Sequence, residues 1–173
     1  MKYKMFTKRL LSLALVAAAS AIAYVIASRR EESTEETQPG NPVTVVSEKE
    51  FADAGILLRL PEEAVNIFWM TIQGMPLLYS LNFFQGETEC NLRIKKTVSL
   101  ENLSGMYFPW TAEETVTDGS TRAVIQTSSD EAGIVLWYRD GYSLSLSMKG
   151  AVSFEKLDGL FRFFNGTMEL KQN

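Results

Sequence analysis

Histidine is absent from this chain, and only one cysteine, Cys90, is present. The first absence removes the commonest general base near neutral pH and the commonest metal ligand. The second excludes an intramolecular disulfide and any cluster of thiolate ligands. Neither a metal nor a cofactor is expected. Cys90 itself lacks a histidine to activate it and reads as a buried strand residue. No G-x-S-x-G and no glycine-rich phosphate loop occurs, and the one S-x-x-K, Ser153 to Lys156, falls where Ser153 reads as a helix cap, so the usual serine hydrolases and nucleotide enzymes have little foothold. An exported domain of this size without disulfides rests on its hydrophobic core alone, which suits a bacterial envelope better than a secreted animal protein.

Charge is scarce in one place. From Leu10 to Ser28 no charged residue appears, and the run contains Leu10, Leu11, Leu13, Leu15, Val16, Ile22, Tyr24, Val25 and Ile26. As a helix these residues reach about 28 Å, close to the hydrocarbon thickness of a bilayer. Lys2, Lys4, Lys8 and Arg9 precede the run, whereas all 21 acidic residues follow it. That bias sets the N-terminus inside and the rest of the chain outside the membrane. Residues 1–28 are thus expected to be a signal or a membrane anchor, and two readings stay open. Leu10 to Val16 with Ala19-Ser20-Ala21 or Ala21-Ile22-Ala23 would serve as a cleavable signal. The extension through Tyr24-Val25-Ile26-Ala27 brings the run to spanning length and slightly favours a retained single span. No cysteine stands directly after the run, which closes the lipoprotein route.

Residues 29–42, RREESTEETQPGNP, contain no large apolar side chain. They read as an acidic, disordered tether, and residues 43–173 as a single extracytoplasmic domain. Of the 17 basic residues four precede the apolar run, which leaves 13 against 21 acids and a net charge of −8 beyond it. Such a field repels phosphate backbones, so nucleic acid is not an expected partner.

Within the domain the hydrophobic period changes along the chain. Ser47-Glu48-Lys49-Glu50 is a capping box opening a short helix that Gly55 ends. From Val65 to Ile72 apolar residues occupy both alternating sets, as in a strand buried on both faces. Leu77, Tyr79, Leu81 and Phe83 line one face of the next strand, and Gln85-Gly86 turns the chain. Cys90, Leu92 and Ile94 then point inward while Glu89, Asn91, Arg93 and Lys95 point to water, the mark of an antiparallel sheet with one wet face. Two strands surround Ser128–Glu131, and Asp140-Gly141 is a hairpin signal. Ser153 caps a closing helix with Phe154, Leu157, Phe161 and Phe164 on one face, ended by Asn165-Gly166. The expected fold is α+β: an antiparallel meander of about six or seven strands, with a short N-terminal helix and a C-terminal helix packed on one face.

Two populations of residues bear on function. The carboxylate pairs Glu87/Glu89, Glu113/Glu114 and Asp130/Glu131 sit at turns or strand margins in polar company, where solvated charge is the default. The aromatic residues Tyr107, Phe108 and Trp110 fall in an irregular Gly- and Pro-bounded segment, and Trp137 and Tyr142 flank the Asp140-Gly141 hairpin. They either close one end of the core or line a groove for a ligand.

Several segments together resemble an uncharacterised family of bacterial extracytoplasmic domains found in lipoproteins and membrane-anchored envelope proteins. They are Phe51 through Gly55 to Pro61, the hairpin Leu81 to Ile94, and Leu103-Ser104-Gly105-Met106-Tyr107 with Trp110. Val135-Leu136-Trp137 and Tyr142-Ser143-Leu144-Ser145 add to the likeness, which spans about residues 42–165. It implies an envelope location and carries no active site over. Some such domains lie outside membrane-bound anti-sigma factors, but the nine residues before the apolar run leave no room for the zinc-binding region those have. The expected function is a non-enzymatic module that binds an envelope protein, peptide or amphiphile. The alternative is a hydrolase of cell-wall or glycan material using carboxylates such as Glu113 or Asp130.

Overall fold

A computed structural model describes residues 42–128 and 131–171. The apolar run 10–28, the tether up to residue 41 and Asp130 lie outside the described residues. Asn41–Asn173 form one compact unit.

The chain enters through β1 (Val43–Val45) and a one-and-a-half-turn helix, α1 (Glu48–Asp53). The Glu50 carboxylate reaches back to accept the Ser47 amide at 2.7 Å, which satisfies a donor that the helix start would otherwise leave orphaned. Gly55 then takes φ +82°, open to glycine without strain, and leads into β2 (Ile56–Leu57). A meander of β3 (Ala64–Ile72), β4 (Leu78–Gln85) and β5 (Thr88–Lys96) follows. A second meander comprises β6 (Ala112–Asp118), β7 (Thr121–Ser128), β8 (Ala132–Arg139) and β9 (Tyr142–Lys149). The chain closes with α2 (Phe154–Thr167) and β10 (Glu169–Leu170).

All pairings are antiparallel, and the large sheet has the order β1-β3-β4-β5-β9-β8-β7-β6; β2 and β10 form a separate ribbon. The sheet therefore has eight strands rather than six or seven. Two reasons account for the difference: Val43–Val45 joins as an edge strand, and the polar stretch Ala112–Asp118, which lacks a hydrophobic alternation, is held as a strand by its register with β7. The β8–β9 turn follows the Asp-Gly expectation, with Asp140 at φ +54° and Gly141 at φ +82°.

One face of the sheet carries the main core. Leu81, Phe83, Cys90, Leu92, Ile94, Leu144, Leu146 and Trp137 are all at 0% exposure there. Phe51 of α1 meets Trp69 and Tyr79 edge-on at 4.8 and 5.0 Å, and Phe161 of α2 meets Trp137 at 5.5 Å. The Ser153 hydroxyl accepts the Lys156 amide, and Leu157, Leu160, Phe161 and Phe164 are buried. Leu157 comes so close to β8 that a Cβ on Gly133 would lie 2.6 Å from its Cδ1. The helix does not stop at Asn165-Gly166. It runs to Thr167 and leaves at Met168, because the chain must go on to pair β10 with β2.

β3 is not buried on both faces. Val65, Ile67 and Phe68 are 52%, 38% and 55% exposed. β1 pairs only with residues 70–72, and the register slips between Val65 and Phe68, where Asn66 has φ +52°. The first half of β3 is thus an outer edge bent by a bulge.

The opposite face is not simply wet either. β5 and β6 stand four strand spacings apart, about 19 Å, and residues 97–111 make the crossing over the face away from the helices. They are fixed to β9 by a row of serines. The Ser143 hydroxyl accepts the Glu101 amide at 2.8 Å and donates to the Ser99 carbonyl at 2.8 Å. The Ser145 hydroxyl accepts the Leu103 amide at 2.9 Å. Ser143 and Ser145 are consequently 0% and 1% exposed; Ser147, on the same face, is 3% exposed. Ile134 and Leu136, registered opposite Ser147 and Ser145, are buried on the same side. A small second core thus lies beneath the crossover.

Candidate functional site

The crossover makes a cleft. Where residues 101–107 pass the β3–β4 turn, a space of about 340 Å³ opens on the non-helical face. Ile72, Met75, Leu78 and Leu103 give its lining an apolar part, and Arg93, Lys95 and Glu101 a charged one. Tyr107 stands at the rim, 86% exposed.

Strand register explains why two cations share this floor. Arg93 and Lys95 are two residues apart on β5, so their side chains leave the same face. The two differ in what they touch. Lys95 Nζ is paired with Glu101 at 2.9 Å. Arg93 donates from Nη1 to the Leu103 carbonyl at 2.9 Å, while its buried Nε has no acceptor. Among the described residues Arg93 makes no ion pair. Removal from water lowers its affinity for the proton, with the nearby Tyr107 hydroxyl acting the other way. A guanidinium remains charged under such a shift, so among the described residues the cleft holds one cation without an ion pair, while its one carboxylate, Glu101, is engaged by Lys95. Gly105, at φ +69°, lets the loop pass over it: a Cβ there would lie 2.8 Å from Arg93 Nη1.

Beside Arg93 the face is polar. Asn91 donates to the Ser80 hydroxyl at 2.9 Å and to the Asn82 side-chain carbonyl. Toward β1 it becomes apolar. Met70 is registered opposite Ser80 and Val45, and Ile72 opposite Leu78 and Val43.

The expected aromatic residues separate in the structure. Tyr107 is at the cleft. Phe108 and Trp110 are half-buried and meet at a tilt, ring centres 5.6 Å apart. Trp137 is fully buried against Phe161, in the helix-side core, and offers no surface to a ligand. Tyr142 is 5% exposed, its hydroxyl donates to the Lys171 carbonyl at 3.1 Å, and it borders a smaller space of about 180 Å³ on the helix side. The five therefore do not converge: alternation along β8 and β9 sends Trp137 and Tyr142 to the other side of the sheet from Tyr107. Arg93 escaped the sequence reading because Asn91, Arg93 and Lys95 looked like a solvated face. The one available signal was the apolar content of the crossover, Leu100, Leu103 and Met106, which needs a surface to lie on.

Among the carboxylates, Glu113 accepts from Gln126 Nε2 at 2.6 Å on the outer strand β6, and its neighbour Glu114 points to the opposite face. Glu89 is paired with Lys149 at 2.8 Å. Among the described residues no group of three or more acidic or cysteine side chains converges as a metal site, and no helix is long and apolar enough to cross a membrane.

The class that the fold defines is an α+β domain on an antiparallel sheet, with helices on one face and a crossover on the other. No family model, curated protein or solved structure matches the chain.

Proposed function

We propose that this domain is a non-enzymatic binding module, held at or released outside a bacterial membrane by residues 10–28, which takes an anionic group of its ligand in the cleft beneath the crossover. One observation carries the reading: the Arg93 guanidinium lines a cleft of about 340 Å³ and has no ion-pair partner among the described residues. A half-buried charge with an unused donor is costly to the fold, and a carboxylate entering the cleft offsets that cost with a charge-assisted bond. The negative charge of the domain as a whole opposes long-range attraction of anions, so recognition here is local and short-ranged.

The test is a titration of the full-length protein with butyrate, followed through the amide signals of Arg93, Leu103 and Gly105. A saturable shift that disappears in Arg93→Gln supports the reading. Silence of all three signals overturns it, as does turnover of cell-wall glycan that Glu113→Gln abolishes.

A further inference from the structure

The geometry points to a single-chain carboxylate amphiphile as the ligand of this cleft, its head on Arg93 and its tail along the exposed face of β4, β3 and β1. The inference rests on the binding reading above and adds the chemistry of the rest of the ligand.

Two rows of registered residues run from the cations toward the sheet edge. One passes from Arg93 through Ser80 and Met70 to Val45; the other passes from Lys95 through Leu78 and Ile72 to Val43. Side chains in each row share one face; Ser80 is buried at 1% exposure, so the path open to a ligand runs through the half-buried Leu78 and Ile72 and on to Met70, Val43 and Val45. Three strand spacings separate β5 from β1, about 14 Å, the reach of a chain of roughly a dozen carbons. The far end is open and apolar: Val43, Val45 and Phe68 are 57%, 74% and 55% exposed, and Met75 at the cleft mouth is fully exposed. Contiguous apolar surface of this kind marks an interaction site.

Complementarity of charge decides the occupant. Glu101 already neutralises Lys95, which leaves one cation, Arg93, for the head. A monoanionic carboxylate matches one guanidinium, whereas a cationic or neutral head leaves it unpaired. Met70 on the path and Met75 at the cleft adapt to a flexible tail, as unbranched thioether side chains do.

The experiment uses the full-length protein with 13C-methyl methionine, below the micelle concentration of each ligand, so that Met70 and Met75 report on this face specifically. Dodecanoate is expected to shift both methyls saturably, and butyrate to bind at least tenfold more weakly. Arg93→Gln should weaken dodecanoate at least tenfold and leave dodecanol within twofold. Val45→Asn, at an exposed edge position with little bearing on folding, should weaken dodecanoate severalfold and leave butyrate unchanged. Butyrate binding as tightly as dodecanoate, with Val45→Asn neutral, would overturn the tail and leave the anion cleft standing. Dodecanol matching dodecanoate, or a peptide with a free C-terminal carboxylate binding tenfold more tightly than dodecanoate, overturns the assignment of the ligand. Absence of any Met75 response to either acid sinks both readings together.

Discussion

Replacing Ser145 by alanine tests whether the serine row on β9 is what holds the crossover, and with it the cleft. The Ser145 hydroxyl is the acceptor for the Leu103 amide at 2.9 Å, and both residues are buried at 1% and 8% exposure. Removing it strands one backbone N–H away from water, at a cost of about 1–3 kcal/mol. The methyl that remains fills most of the serine's volume, so cavity formation adds little. With a urea dependence of about 2 kcal/mol per molar for a domain of this size, a 2 kcal/mol loss lowers the unfolding midpoint by about 1 M. Trp fluorescence follows the transition. Ser147→Ala is the internal control: same strand, same face, same side chain, but its hydroxyl makes only a long 3.4 Å bond to the Asn91 carbonyl and supports no amide. It should cost about 0.5–1.5 kcal/mol, below the Ser145 variant. The crossover has a way to limit its loss, which is to lift off the sheet. Hydrogen exchange separates the two cases, since detachment speeds exchange at Glu101 and Met106 while the amides of β5 and β9 keep their protection. Equal midpoints for the two variants, with unchanged exchange at Glu101, would refute the serine row as the fastening.

Four further outcomes follow from other contacts. Gly133→Ala places a Cβ 2.6 Å from Leu157 Cδ1 and should destabilise the domain by about 1–3 kcal/mol through overpacking, read as a lowered melting temperature. Phe51→Ala removes the ring packed on Trp69 and Tyr79 and should cost about 3–5 kcal/mol in denaturant unfolding. The Cys90 thiol is pushed up to about 11 by burial, so it should resist thiol reagents at pH 8 in the native protein and react at once in denaturant; fast native labelling contradicts its placement. The Glu155 carboxyl titrates below the ordinary glutamate value because it accepts its own backbone amide and the Ser153 hydroxyl. Its stabilisation is therefore full above the unfolded-state value and is lost as pH falls through the lowered one; an NMR titration midpoint at or above the ordinary value would contradict the bond.

The helix-side half of the molecule was legible in the sequence for a simple reason. Where a strand buries one face against helices, its alternation is read directly: Leu81 and Phe83, Cys90, Leu92 and Ile94, and the spacing Leu157–Phe161–Phe164 all lie where periodicity places them. Turns were legible when local backbone chemistry decides them, as at Gly55 and Asp140-Gly141. Strand β6 was hidden because its pairing with β7, rather than its own residues, makes it a strand. The cleft was hidden for a related reason. Serine, asparagine and arginine on alternate positions look identical whether water or a crossing segment satisfies them.

By itself, then, the sequence determined the antiparallel class, the capped helices, the tight turns and the composition of the main core, since each depends on neighbours within a few residues. The tertiary structure alone decided that β5 pairs with β9, a contact between residues 46 to 58 positions apart. That pairing parts the sheet into two meanders and forces residues 97–111 to cross the face that alternation had marked as wet. From that crossing come the buried serines, the half-buried Arg93 and the cleft, because a long-range pairing fixes where a connection must run while the connection's own residues fix only what it touches.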